Sequence, residues 1–472
     1  MYSITKAHSV LKTIGASTML ALSLVGCQST ETIMKNESNL AQYQPAPYVE
    51  LTHPEWSKNA TIYEVNIRQY TEEGTFNAFA EHLPRLKALG VDILWLMPIH
   101  PIGEKNRKGG KGSYYAVKDY RAVNPEFGTL DDLKTLVKQA HDMNMYVILD
   151  WVANHSAWDN PLTETNPEWY TKDHNGNFQP TPWWDWSDII DFDYNNPEMR
   201  QYMTDALKYW VEEADIDGYR ADVAGFIPTS FWDNAREELD AIKPVFMLAE
   251  WDARDLHKKA FDMTYNWKLH DTMHEVAIGK KEGGAIYHHF AHSLSAWPEN
   301  AMTMNFVDNH DKNSWEKTMF DRFGPYLNAS IVLTATAEGM PLIYSGQEAG
   351  LDKVLAFFDK DKIEWREHPI ADLYKTLFNL KHQNQALWNG NWGGKMIPVP
   401  NTAPNALFSF ARQKNDDKIF VVINFSDQEQ SATFNENVQW GSYTEWFRKD
   451  EVTISKDSSL TIEPYGYRVF VK

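Results

Sequence analysis

Four short apolar runs in the chain end on groups that can move protons or attack an electrophile. Asp150 closes one run, with Asn154 and His155 just beyond it. Arg220 and Asp222 lie on a second, Glu250 ends a third after Phe246–Ala249, and Asp308, Asn309, His310 and Asp311 follow a fourth. A lone carboxylate at the end of an apolar strand is partly stripped of water, which raises its pKa and favours the protonated acid. Glu250 fits that description. Arg220 stands two residues before Asp222, so on a strand both side chains point the same way. A guanidinium beside a carboxylate keeps it ionised and fixes its rotamer. Plainer readings exist for each group. A strand-end Asp commonly caps a helix or forms a turn, and Arg220 with Asp222 also reads as a structural ion pair. His155 and His310 show neither HxxxH nor HxH spacing, which argues against a zinc site.

The elements that must position these groups alternate in type. Strand candidates are Ile62–Val65, Ile93–Leu96, Tyr146–Leu149, Gly218–Ala221, Phe246–Ala249, Met263–Tyr265, Met302–Phe306 and Leu342–Ser345. Helical patterns lie between most of them, among them Phe76–Leu89, Leu130–Met143, Glu198–Ala214 and Phe231–Ile242. Strands alternating with helices call for parallel pairing, and eight such pairs predict an α/β fold, a (β/α)8 TIM barrel. The competing open, doubly wound sheet lacks its Gly-rich phosphate turn here. In a barrel the candidate residues all fall at the C-terminal ends of strands, where barrel active sites are built. Two stretches break the rhythm. Residues 154–196, rich in Trp, Asp, Asn and Pro, predict a small inserted domain after the third strand. From about Trp392 the pattern changes to short alternating strands, which predict a separate antiparallel β-sandwich domain. The expected division is 58–153 and 197–390 for the barrel, 154–196 for the insertion and 391–472 for the β-sandwich.

The chain has 472 residues, a formal net charge of -20, 14% aromatic residues and 19 Trp. Its acidity repels phosphate backbones, so nucleic acid is not expected as a partner. Surplus Trp suits stacking on sugar rings, although Trp also fills large cores. The single cysteine, Cys27, rules out an internal disulfide. Lys6, His8 and Lys12 precede an apolar run, Ile14 to Val25, too short to span a bilayer comfortably, and Leu24, Val25 and Gly26 lead into Cys27. This resembles a bacterial lipoprotein signal: residues 1–26 are cleaved, Cys27 is lipidated, and 27–57 form a flexible tether. An ordinary secretory signal is the alternative. The expected location is the bacterial cell envelope, anchored by lipid, with Gln28 in place of the Asp that retains such proteins at the inner membrane and so favouring the outer one. The membrane face stays open.

Taken together the motifs resemble the alpha-amylase family of glycoside hydrolases, family 13. "DWVANH" at Asp150–His155, "GYRADVA" at Gly218–Ala224, "FMLAEWD" at Phe246–Asp252 and "FVDNHD" at Phe306–Asp311 are similar to its four sequence blocks. The resemblance implies Asp222 as nucleophile, Glu250 as general acid/base and Asp311 as a transition-state partner. It implies His155, Arg220 and His310 as substrate-binding residues, and Tyr115, in "YAVKDY", as the tyrosine stacked on the sugar at the cleavage point. Two carboxylates flanking a glycosidic bond suffice for hydrolysis, so no cofactor is required for the chemistry.

The substrate implied is an α-1,4-glucan, starch-like polysaccharide or maltooligosaccharide, cleaved with retention as by an alpha-amylase. A maltogenic amylase, a cyclomaltodextrinase, an α-glucosidase and a transglycosylase of the same family remain as alternatives. A non-catalytic glycan-binding lipoprotein is the alternative of another class, and retention of Asp222, Glu250 and Asp311 together argues against it. A structural calcium is left open. Asn154 is the candidate oxygen ligand, and "DFDYNNP" at Asp191–Pro197 supplies nearby acids, but Gly225 and Phe226 replace the Lys-His pair that follows the nucleophile block in calcium-dependent amylases. The basic, Gly-rich stretch Gly103–Gly112 fits no P-loop and is expected to be a mobile rim loop.

Overall fold

The computed structural model describes residues 43–472, so the leader and Cys27 lie outside the described residues. Residues Val49–Lys472 form one compact unit. Its centre is a closed barrel of eight parallel strands: β1 (Ile62–Val65), β2 (Ile93–Leu96), β3 (Tyr146–Trp151), β6 (Gly218–Ala221), β7 (Phe246–Ala249), β8 (Met263–Tyr265), β9 (Met302–Asn305) and β10 (Met340–Tyr344). Between β3 and β6 the inserted segment carries β4 (His155–Ala157) antiparallel to β5 (Ile189–Asp191). All eight barrel strands fall where the sequence puts them, with ends shifted by one or two residues.

Both faces of each barrel strand are covered, which is why the strands read as continuous apolar runs. Alternation still sorts the side chains. Ile62, Ile93, Ile148, Phe246, Leu248, Met263, Met304 and Leu342 fill the barrel interior. Tyr63, Val65, Leu94, Leu149, Tyr219 and Met247 pack outward against the helices. The same alternation turns Glu64, Asp150 and Arg220 inward, and all three are fully buried. Asp150 and Arg220 stand opposite one another across β3 and β6.

The helix expected over Phe76–Leu89 is two helices, Phe76–Ala80 and Leu83–Leu89. Pro84 explains the break: its ring collides with the carbonyl four residues back, that of Ala80, and it has no N–H to give it. Other helices match closely, among them Leu130–Asp142, which starts on a Thr129–Asp132 capping box.

The C-terminal part is antiparallel. A six-stranded sheet runs in the order β11 (Met396–Pro398), β12 (Leu407–Lys414), β13 (Asp417–Asn424), β18 (Tyr467–Val471), β15 (Gly441–Glu445) and β16 (Glu451–Ile454). A two-stranded sheet pairs β14 (Gln430–Thr433) with β17 (Ser459–Ile462). Phe420, Val422, Phe434, Tyr443, Ile462 and Phe470 share the core of this region. Buried Arg412 ties it to the barrel by donating to the carbonyls of Thr336 and Ala337 at 3.0 and 2.7 Å. Among the described residues, no helix is long and apolar enough to cross a membrane.

Candidate active site

The site is assembled around Arg220. Its Nη1 donates to Asp150 Oδ1 and to Asp222 Oδ1, both at 2.8 Å, and its Nε donates to the Tyr265 hydroxyl at 3.2 Å. Nη2 lies 2.9 Å from Glu250 Oε2, an ion-pair approach whose angle misses that of a hydrogen bond. One buried cation therefore organises three carboxylates. Backbone continuity places two of them: the Asp222 N–H extends the ladder to Trp151 O, and the Glu250 N–H extends it to Ala221 O.

Glu250 Oε2 also accepts the Val223 N–H at 2.8 Å. Val223 reaches that position with φ at +36°, a left-handed conformation that costs a β-branched residue about 1–3 kcal/mol. Strain of this size persists where the surroundings hold it, and here it aims an amide at a carboxylate.

Burial pushes the Glu250 carboxyl up to about 7; Arg220 opposes this, while Asp222 and Asp311 add to it. Burial likewise raises Asp222 to about 6 against the pull of Arg220. Arg220 is expected to keep Asp222 ionised; here desolvation outweighs the guanidinium's pull. Asp150 is also raised to about 6 by burial. It accepts the Trp95 Nε1–H at 3.1 Å and the Tyr115 hydroxyl at 3.0 Å, both on Oδ2.

The remaining sequence candidates gather at the same place. Tyr115 OH lies 2.9 Å from His310 Nε2, and Asp311 Oδ1 is 3.4 Å from that nitrogen. His155 borders the same cleft, and burial lowers it to about 3, so its imidazole is neutral. Asp308 does not join them. It pairs with buried Arg322 and so serves the fold.

Glu64 is the residue that sequence reasoning missed. It faces into the barrel from β1, and its Oε1 is hydrogen-bonded to His310 Nδ1. The signal was present: Glu64 is a lone carboxylate in an apolar strand, as Glu250 is.

The cleft above these groups has a volume of about 680 Å³. Aromatic rings form two walls. On one side Trp184 stacks on Trp186 at 4.9 Å, and Phe226 joins Trp251 at 5.3 Å. On the other, Tyr115 lies parallel to Phe357, which meets Trp315 at 4.9 Å. Gly225 makes the first wall feasible. A Cβ there would fall 2.2 Å from the Trp251 indole, so Trp251 occupies the space a lysine would need. Of the five Trp in the insertion, Trp184 and Trp186 line the cleft. Trp169 is buried, with its ring 5.4 Å from Tyr202 of the following helix, and Trp183 is fully exposed.

The loop Gly103–Gly112 is tied down at both ends of its reach. Lys108 donates to Asp185 O and lies 3.8 Å from Asp188. Lys111 N–H bonds Phe358 O at 2.8 Å. It bridges the two walls of the cleft.

The donors proposed for calcium are occupied with one another. Asn154 Nδ2 donates to Asp191 Oδ1 at 3.1 Å, and the Thr181 hydroxyl donates to the same oxygen at 2.5 Å. Asp193 accepts from Asn195 in a local turn. One carboxylate whose oxygen already takes two neutral donors does not fit a cation that needs six to eight oxygens. Among the described residues, no group of three or more His, Cys, Asp or Glu stands ready to hold a metal.

Two carboxylates of unequal pKa at the C-terminal rim of a parallel barrel, under facing aromatic walls, define a sugar-cleaving barrel enzyme. The comparisons narrow that class. The alpha-amylase catalytic domain family matches residues 55–460. A noncanonic maltogenic alpha-amylase from Thermotoga neapolitana superposes with a TM-score of 0.80 at 32% identity, over 88% of this chain and 98% of its own. An alpha-amylase from Lactobacillus plantarum superposes with a TM-score of 0.79 at 30% identity, over 88% and 99%. Alpha-amylase 3 of Dictyoglomus thermophilum is 26% identical over 83% of this chain and 90% of its own length. Against Alpha-amylase MalA of Haloarcula japonica, 24% identical, the chain spans about half, 56%, of the relative's length. The chain belongs to the alpha-amylase family of glycoside hydrolases.

Proposed function

We propose that the protein is a retaining alpha-amylase, hydrolysing α-1,4-glucosidic bonds in starch-like glucans and maltooligosaccharides. The observation that carries this is the shared guanidinium: Arg220 holds Asp222 and Glu250 on its two terminal nitrogens, inside a cleft walled by aromatic rings. An ionised Asp222 oxygen attacks the anomeric carbon as protonated Glu250 gives its proton to the departing glycosidic oxygen. The C–O bond breaks and a glycosyl ester forms on Asp222. Glu250, now ionised, takes a proton from water; the hydroxide oxygen bonds to the anomeric carbon and the ester bond to Asp222 breaks. Two displacements preserve configuration. Asp311, His310 and His155 hold sugar hydroxyls, and Tyr115 stacks on the ring at the cleavage point; Arg220, expected from the sequence to bind sugar, is fully buried with its nitrogens on Asp150, Asp222, Glu250 and Tyr265, so it fixes the carboxylates instead. Residues 58–153 and 197–390 carry the nucleophile and the acid/base, 154–196 adds His155 and, through Trp184 and Trp186, part of one wall, and 391–472 is a β-sandwich buttress.

The deciding experiment is product analysis on soluble starch with a chain starting after Cys27, beside Glu250→Gln and Asp222→Asn. Early mixed maltooligosaccharides, lost in both variants, support internal cleavage. Maltose or glucose alone from the start moves the reading to a maltogenic, cyclodextrin-cleaving or α-glucosidase action, which the maltogenic relative favours. Near-wild-type rates in either variant defeat the residue assignment.

Lipidation of Cys27 after removal of residues 1–26, with anchoring in a bacterial envelope, is part of the same proposal. It rests on the basic start, the short apolar run and Gly26 before Cys27. Incorporation of labelled fatty acid, lost in Cys27→Ala, tests it; incorporation that survives the substitution rejects it.

A further inference from the structure

We propose that Glu64 is a positioning residue of the hydrolytic site, whose carboxylate holds His310 as a doubly protonated imidazole. The inference rests on the reading that His310 lies at the point of cleavage.

The directions of the hydrogen bonds carry the argument. The Tyr115 hydroxyl spends its proton on Asp150 Oδ2, an acceptor when ionised. Its oxygen is then free to accept, so His310 Nε2, 2.9 Å away, is the donor. The opposite ring nitrogen, Nδ1, faces Glu64 Oε1. Burial raises the Glu64 carboxyl, with His310 and then Arg220 opposing; ionised against the charged ring it accepts, so Nδ1 carries a proton too. A relay results: Glu64 takes from Nδ1, Nε2 gives to Tyr115, and Tyr115 gives to Asp150.

The other elements packed around His310 divide, and the carboxylates prevail. Asp311, next in the chain, lies 3.4 Å from Nε2. The Trp95 indole meets the ring edge-on at 5.9 Å. Asp150 from β3 adds negative charge, and Arg220 from β6 opposes it at longer range. Burial disfavours the charged ring, but Asp311 and Glu64 together hold it up to about 9.

Glu64 makes no other polar side-chain contact that would explain it. It is fully buried, and its second oxygen, Oε2, has no hydrogen-bond partner. A buried ion pair seldom gains stability over apolar residues of the same volume. Asp150 and Arg220, the other charges turned into the barrel, satisfy each other; Glu64, half-satisfied, is therefore better explained by the ring it touches than by the fold.

The test uses the chain starting after Cys27, with labelled histidine rings followed by ¹⁵N NMR and with His310→Asn assigning the signal. In the wild type at pH 7 both ring nitrogens of His310 are expected to carry protons. In Glu64→Gln one proton is expected to leave below pH 7, with kcat falling about 100-fold, the scale of a misplaced catalytic contact, and KM moving much less. Glu64→Asp keeps the charge and is expected to keep both ring protons and recover part of kcat; it also serves if Glu64→Gln fails to fold. A His310 still doubly protonated at pH 7 in Glu64→Gln, or already singly protonated in the wild type, overturns the proposal. The ring signal is read without substrate, so failure of the amylase reading is distinguishable from failure of this one.

Discussion

The Val223 amide donates to Glu250 Oε2 at 2.8 Å while the Val223 backbone sits at φ +36°. A stabilising contact to the acid is thus bound to an unfavourable backbone. Val223→Gly removes the Cβ that makes this region costly. It is expected to raise stability by about 1 kcal/mol and to lower kcat, because a permissive glycine no longer pins the amide. Thermal unfolding beside initial rates on maltooligosaccharides checks it. A gain in both quantities would show that the strain serves nothing at the site.

That strain has no sequence signature, and it marks where legibility stops. Strand ends such as Asp150, Arg220 and Glu250 were legible because an apolar run stops on a charge, and the alternation that stacks Asp150 beside Arg220 follows from the pleat. Glu64 was lost because it sits inside its strand, Ile62–Val65, whereas Glu250 closes the equally short run Phe246–Ala249 and stands out at its end. Trp315 comes from a single helical turn, Lys312–Glu316, and Phe357 from a loop, neither long enough to show a period, so only tertiary folding brings them opposite Trp184 and Trp186. The helix boundary at Ala80 was legible in principle, since Pro84 was in view. In the C-terminal region β15, β16 and β17 carry too many polar residues to read as strands before their partners are known.

The two acids set a pH window. The proposed mechanism needs Asp222 ionised and Glu250 protonated, so kcat/KM is expected to fall below about 6 and above about 7. Stability follows the opposite logic. The folded Glu250 is raised above its ordinary value of 4.5, so its stabilising contribution is complete below pH 4.5 and is lost as pH rises through about 7. Glu250→Gln should therefore raise the Tm at pH 8 by about 2 °C or more, with the gain vanishing near pH 4, while activity disappears. An equal shift at both pH values would mean that the effect is packing and not charge.

Calcium removal tests whether the cluster around Asp191 is self-sufficient. Asn154, Thr181 and Asp191 already satisfy one another, and burial raises Asp191 to about 6, with Thr181 and Asn154 opposing. A chelator at millimolar concentration is expected to leave both Tm and initial rate unchanged. A fall in Tm that added calcium restores would show that the Asn154 amide turns its oxygen outward and that the cluster opens to take a cation.

The aromatic walls separate binding from chemistry. Trp184, 55% exposed, rests on Trp186, and Trp315, 56% exposed, rests on Phe357. None of the four hydrogen-bonds to or ion-pairs with the carboxylates, so their part is to bury the apolar faces of sugar rings, worth about 1 kcal/mol or more for each large ring. Trp184→Ala and Trp315→Ala are expected to raise KM about 5- to 10-fold with kcat nearly unchanged, the pattern of binding shared by ground and transition states. Trp183, fully exposed and touching neither wall, serves as the control: Trp183→Ala should leave KM alone on short maltooligosaccharides. If Trp184→Ala lowers kcat as steeply as kcat/KM, the wall acts in the transition state, and its contact with Phe226 and Trp251 becomes the route by which it orients Glu250.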